Sequence, residues 1–170
     1  YDVSMTMFWL FTVYGPWGRP DMAPMKFAKL ILEGKPIDVY NYGKMRRDFT
    51  FVDDLVKAIH LLLDTPPTGQ PVSEEFDSLS PVAPFRVVNI GNSAPVELSH
   101  FISTLETALG KKASQNFMDM QPGDVPETWA DTRLLEALTG YSPRTDLETG
   151  VRALAKWYFD YYSKNIDSAE

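Results

Sequence analysis

Two hydrophobic periods alternate along this chain, and that alternation restricts it to α/β architectures. Apolar, β-rich runs at residues 5–13, 37–40, 49–52, 86–90 and 116–120 have the length of strands. Between them, apolar residues recur at helical spacing. Phe27, Ala28, Leu30 and Ile31 form the first such set, and Leu55, Ala58, Ile59, Leu62 and Leu63 the second. Leu98, Phe101, Ile102, Leu105 and Leu109 form a third, and Val151, Leu154, Trp157, Tyr158 and Tyr161 a fourth. A short helix is also expected over 134–138. Gly34, Gly110 and Gly140 stand where helices should stop, and Pro24 suits a first helical turn. Asp53 or Asp54 is expected to cap the second helix.

The continuous apolar run at 5–13 reads as a central strand of a doubly wound sheet. Turns are expected at 14–21, 43–47 and 121–126. Residues 65–84, rich in Pro, Ser and Glu, read as a mobile surface loop. Trp9, Phe11, Trp157 and Tyr158 are expected in the core. The connections vary in length, so the pattern suits a lid-like α/β domain better than a self-sufficient parallel sheet.

Composition narrows the function classes. Hydrophobic residues make up 44% of the 170, enough for a core without disulfide support. The absence of cysteine excludes disulfides and thiolate metal sites, and it fits a reducing cytoplasm. A net charge of −7 argues against nucleic acid as a partner. No apolar run approaches the roughly 20 residues of a membrane-spanning helix. His60 and His100 lack the spacing of metal ligands or of a catalytic triad, so both are assigned to structure and no metal is expected. The chain opens on Tyr1 rather than Met and runs almost directly into a strand, as a fragment does.

Three polar clusters could carry chemistry. Residues 12–21 end a strand and then present Arg19 on a Gly/Pro-shaped loop. Ligands of open α/β sheets sit beyond strand ends, where an arginine can grip a carboxylate or phosphate in a two-pronged pair. A tight turn with a solvated arginine fits the same letters equally well. In Lys44, Arg46, Arg47 and Asp48, adjacent arginines on extended backbone point to opposite sides. One could enter a site, with Asp48 holding Arg47 in place, although a solvated basic turn is the simpler reading. In Gln121-Pro122-Gly123-Asp124-Val125-Pro126, a carboxylate between prolines could accept hydrogen bonds from a ribose diol, or the stretch is simply a turn. No G-x-G-x-x-G occurs, so the dinucleotide fingerprint is absent from these residues. Tyr40 and Lys44 match Tyr-x-x-x-Lys in letters only, because they span a strand and a turn rather than one helical face.

Taken in order, the strings TVYGPWGRPDMA (12–23), GKPIDVYNYGKMRRDFTFVDD (34–54), NIGNSAPVEL (89–98) and QPGDVPE (121–127) resemble the C-terminal half of the extended short-chain dehydrogenase/reductase family. Within its NAD-dependent sugar-nucleotide epimerases and dehydratases, the likeness is to the UDP-glucuronate 4-epimerase branch, associated with capsular polysaccharide biosynthesis. The resemblance implies the last strand of a Rossmann-like sheet (1–16), followed by the smaller mixed α/β substrate-binding portion (17–170). It implies a reaction interconverting UDP-glucuronate and UDP-galacturonate through a 4-keto intermediate, with hydride passing to and from NAD. The tyrosine base and the NAD-binding motif of such enzymes precede the matched region, so this chain alone is expected to be inactive.

Residue by residue, the resemblance gives Thr12 and Arg19 to the hexuronic acid and its surroundings. It gives Arg47 to the diphosphate, the Tyr40 strand to the uracil, and Gln121 and Asp124 to the phosphate and ribose. Val13, Tyr14 and Pro16 fall near the nicotinamide. Many relatives carry arginine where Gln121 stands. A cytoplasmic homodimer is implied for the intact enzyme. A UDP-glucuronate decarboxylase, a UDP-glucose 4-epimerase, a dTDP-glucose dehydratase and a non-catalytic sugar-nucleotide-binding module remain alternatives.

Overall fold

A computed structural model describes residues 3–166. Seven strands and five α-helices alternate along them. In chain order these are β1 (Met5–Leu10), β2 (Thr12–Tyr14), α1 (Ala23–Glu33), β3 (Pro36–Tyr40), β4 (Arg46–Phe51), α2 (Val52–Leu62), β5 (Phe85–Ile90), β6 (Pro95–Glu97), α3 (Leu98–Leu109), β7 (Ser114–Met118), α4 (Arg133–Thr139) and α5 (Leu147–Ile166). A one-turn 3-10 helix, Asn41–Gly43, links β3 to β4. The α/β expectation holds.

The strands form three small sheets. β1 pairs with β5 in parallel, β3 pairs with β7 in parallel, and β4 lies between parallel β2 and antiparallel β6. The single strand expected over 5–13 is therefore two. Its break is at Phe11, whose carbonyl accepts a hydrogen bond from Val13 N–H at 3.0 Å. Such a three-residue turn bends the chain, and it hands the strand from β5 to β4. The domain boundary expected at residue 16 falls just after β2. The strand that completes the β1 sheet comes from residues 85–90.

Two cores result. One packs α1, α3 and α5 against β2, β3 and β4, with Tyr14, Ile31, Ile37, Val39, Phe49, Phe101, Leu105, Val151 and Leu154 buried. Phe49 and Phe101 stack at 4.4 Å between ring centroids, and Tyr14 meets both edge-on. The other packs α2 and α4 against β5, through Leu55, Ala58, Leu62, Val88, Ile90, Leu134 and Leu135, with Phe8 and Val13 beside them. α1 stops as its sequence suggests. Gly34 takes the left-handed conformation at φ 72, and Lys35 N–H reaches back to the Leu30 carbonyl.

Other local expectations change. α2 begins at Val52 and has no side-chain cap. Asp53 and Asp54 sit in its first turn, where their charge suits the helix dipole. Asp54 instead accepts hydrogen bonds from Tyr141 Oη and Thr145 N–H. Residues 46 and 47, read as turn, already belong to β4. Trp9 is 62% exposed, because alternate β1 residues face away from both cores; Met5 and Met7 share that face. Tyr158 is buried, while Trp157 is half-buried, stacks on Tyr161 and meets Trp17 at a tilt. Residues 65–84 contain no helix or strand but are anchored: Arg86, 3% exposed, donates two hydrogen bonds to Asp77, 0% exposed.

Candidate functional site

Four of the residues singled out from sequence line one cavity of about 350 Å³: Thr12, Tyr40, Arg47 and Asp124. They come from the ends of β2 and β3, from the second residue of β4, and from the loop after β7. Strand alternation explains Arg47. It shares a β4 face with Phe49, which also lines the cavity. Its guanidinium is further oriented by donation to the Arg46 carbonyl at 2.9 Å. Asp124 is delivered by a turn in which its N–H donates to the Gln121 carbonyl at 3.1 Å, with Gly123 at φ 89.

The same turn leaves Gln121 exposed and off the cavity wall, contrary to expectation. The intervening residues reverse the chain, so one end of the turn faces in and the other out. Arg19 is also absent from this wall. Its side chain is 75% exposed and ion-paired with Asp21. The hydrogen bonds from Arg19 hold the Asp21 carboxyl below the usual carboxylate range. Arg19 lines a neighbouring, more apolar cavity of about 370 Å³ together with Val13, Tyr14 and Pro16. Met22 lines both cavities, so the two adjoin. Tyr14 contributes little more than backbone to a ligand. Its ring is buried in the core, and burial, followed by the charges of Asp146, Asp54 and Glu148, pushes its hydroxyl pKa far up.

Asp21, the last residue of the 12–21 cluster, also lines the wall, and three wall residues went unnoticed in the sequence: Lys26, Asp38 and Met45. Lys26 carried a signal. It lies near the start of α1, where the helix dipole disfavours a cation. A lysine there makes sense if an anion is to be met. Asp48 does not pair with the Arg47 side chain, which donates to the Arg46 carbonyl instead. It points to the other face of β4 and is wholly buried, accepting hydrogen bonds from Asn92, Ser93 and Ala130 N–H.

The lining defines what the cavity can do. Arg47 and Lys26 supply positive charge, and Thr12 a hydroxyl. Asp124 can accept from a diol, and Tyr40, Phe27, Phe49 and Leu98 give apolar and aromatic surface. That set suits an anion joined to a ring and a sugar. Among the described residues, no cluster of three or more His, Asp or Glu could hold a metal ion. No described helix is long and apolar enough to cross a membrane. A dinucleotide pyrophosphate needs a glycine-rich cradle at a helix start, and these 170 residues carry no such motif.

Comparison with known proteins agrees with this geometry. Residues 1–91 match the NAD dependent epimerase/dehydratase family. The chain is 50% identical over 167 residues to a probable UDP-glucuronate 4-epimerase of Rhizobium meliloti, covering 96% of this chain and 49% of that protein. Among solved structures, the UDP-glucuronic acid 4-epimerase of Bacillus cereus in complex with UDP-glucuronic acid and NAD superposes with a TM-score of 0.77 at 32% identity. That match covers 94% of this chain and 46% of the other. MoeE5 in complex with UDP-glucose and NAD gives 0.79 at 29% identity, over 94% and 48%. The chain thus spans about half the length of the curated relatives it matches. With more than half of its residues matched and its strand-end cavity in place, the chain belongs to the NAD dependent epimerase/dehydratase family.

Proposed function

We propose that this chain is the substrate-binding part of an NAD-dependent nucleotide-sugar 4-epimerase that interconverts UDP-glucuronate and UDP-galacturonate. The observation that carries the reading is the convergence of Thr12, Tyr40, Arg47 and Asp124 on one cavity from four separate segments. Arg47 grips the diphosphate, as a planar cation suits two phosphate oxygens, and Lys26 adds charge beside it. Asp124 accepts from the ribose hydroxyls. Tyr40 and its strand flank the uracil. Arg19 and Thr12 serve the hexuronate, with Arg19 released from Asp21 to meet the carboxylate. NAD supplies the hydride chemistry when bound, and Val13, Tyr14 and Pro16 face its nicotinamide through the adjoining cavity.

Sheet β1–β5, with α2 and α4 packed on it, belongs with the nucleotide-binding half; α1, α3 and α5 surround the substrate portion. The working enzyme is a cytoplasmic homodimer, and this chain alone turns over no substrate.

Calorimetric titration with UDP, UDP-glucuronate and NAD tests the reading. The expected result is binding of both UDP ligands by the protein that carries this chain, with interconversion of the two uronates once NAD is bound. Binding of neither UDP ligand refutes it. Release of CO2 in place of epimerisation would point instead to a decarboxylase.

A further inference from the structure

Asp48 is the one wholly buried carboxylate that faces away from the cavity yet sits next to its principal cation among the described residues. We propose that Asp48 is a positioning residue that fixes Arg47 and Asp124 relative to one another; this rests on the reading of the cavity as a nucleotide-sugar site. Its Oδ1 accepts from Asn92 N–H at 2.8 Å, and its Oδ2 accepts from Ser93 and Ala130 N–H, both at 3.0 Å. Its own N–H donates to Thr128 Oγ1 at 3.3 Å. Among the described residues no cation pairs with it. The side-chain oxygens are satisfied by backbone N–H groups alone, which ties the carboxyl group to the positions of those groups.

An apolar side chain would fill the same space without the desolvation cost. What the carboxylate adds is direction: it joins β4, the 91–93 loop and the 128–132 segment at one point. The surroundings are built for that junction. Ser93 takes a left-handed conformation at φ 56, and its hydroxyl donates to the Ala130 carbonyl at 2.9 Å and meets Thr132 Oγ1. A Cβ on Gly91 would collide with that of Ala130. From the junction the chain runs directly to the cavity. Arg46 N–H donates to the Pro126 carbonyl at 2.9 Å, Thr128 N–H donates to the Arg46 carbonyl at 3.1 Å, and the Arg46 and Glu127 side chains pair at 3.0 Å. Arg47 lies between Arg46 and Asp48, and Asp124 lies just before Pro126. Asp48 therefore governs both wall residues without lining the cavity.

The test is UDP affinity per folded chain, measured by calorimetry in the protein that carries this chain. Asp48→Asn presents an amide where one of the carboxylate oxygens had accepted. It should weaken UDP binding about tenfold or more, as misplacement of binding groups does, while the fitted number of sites per folded chain is unchanged. Loss of sites with an unchanged Kd in the surviving molecules would mean a purely structural role and overturn the proposal. If Asp48→Asn fails to fold, Ser93→Ala keeps the carboxylate and its three N–H donors but removes the hydroxyl that holds the 91–93 loop to Ala130 and Thr132; it should weaken UDP binding in the same direction, and an unchanged Kd would mean that this junction does not position the wall and would overturn the proposal. A wild-type protein that binds no UDP would overturn the site reading and this proposal with it. A wild type that binds, beside Asp48→Asn of equal affinity, would overturn this proposal alone.

Discussion

The Arg86–Asp77 pair should be the most costly ion pair to break among the described residues. Asp77 accepts from Arg86 Nε and Nη2 at 2.9 and 3.0 Å, and also from Val72 and Leu79 N–H, both at 2.9 Å. Both side chains are withdrawn from water, at 3% and 0% exposure. Asp77→Ala leaves a guanidinium buried without its partner and two loop N–H groups without an acceptor. Removing one partner of a buried pair costs roughly 3–5 kcal/mol. The double variant Asp77→Ala/Arg86→Leu restores neutrality, so it should recover about half of that loss or more. pH adds a second signature. Burial alone would raise the Asp77 pKa, but the Arg86 hydrogen bonds and the two backbone N–H groups outweigh it, and the net shift is downward. A depressed carboxylate pKa contributes stability that is fully present above the unfolded-state value and lost as pH falls through the folded value. The wild type should therefore lose stability below about pH 4, and the double variant should lose less. Urea unfolding at pH 7 and at pH 3, with limited proteolysis of residues 65–84, reads all of this. An Asp77→Ala variant within about 1 kcal/mol of wild type at pH 7, with its loop no more susceptible to protease, would refute the reasoning.

Three further outcomes are expected. Phe101→Ala removes a fully buried ring that stacks on Phe49, and urea unfolding should show a loss of about 3–5 kcal/mol. Gly150→Ala should destabilise despite a helix-propensity gain of about 1 kcal/mol. The new Cβ would run into the Tyr14 ring, which Phe49, Phe51 and Phe101 hold in place, and overpacking costs about 1–3 kcal/mol; a raised Tm would contradict this. Arg47→Ala should weaken UDP-glucuronate binding by about 1.5–3 kcal/mol through loss of a charge-assisted phosphate contact, with calorimetry as the check.

The elements that were legible from sequence are those whose pattern is local. α3 follows the spacing of Phe101, Ile102, Leu105 and Leu109, and Gly110 ends it in a left-handed conformation. The four cavity residues were legible because each lies in a string whose order and spacing repeat those of relatives. What failed depended on partners remote in sequence. The split at Phe11 follows from pairing with two different strands. The exposure of Trp9 follows from which face of β1 the cores occupy. Asp48 looked like a partner for Arg47 because the two are adjacent, yet adjacency on a strand places side chains on opposite faces. Its real partners are Asn92, Ser93 and Ala130. Lys26 was overlooked because an exposed lysine on a helix is ordinary until the cavity beside it is seen.

An acidic chain can still receive an anion if its local charges are arranged for it, and the proposed role of this cavity rests on such an arrangement. Its wall includes three carboxylates, Asp21, Asp38 and Asp124, against two cations, Lys26 and Arg47. The carboxylates are not equal. Asp21 is neutralised by Arg19, and Asp38 receives a hydrogen bond from Asn116 Nδ2. Asp124 takes no side-chain partner among the described residues and so keeps its acceptor capacity for hydroxyls. Neither Lys26 nor Arg47 forms an ion pair among the described residues, so both can turn to a ligand. The engagement of Arg19 by Asp21 then has two effects at once. It removes a negative charge from the wall where the diphosphate is proposed to lie, and it holds an arginine in reserve beside the adjoining cavity. A net charge of −7 sets the long-range field; within a Debye length of about 10 Å, the placement of these five side chains would decide which ion the proposed site admits.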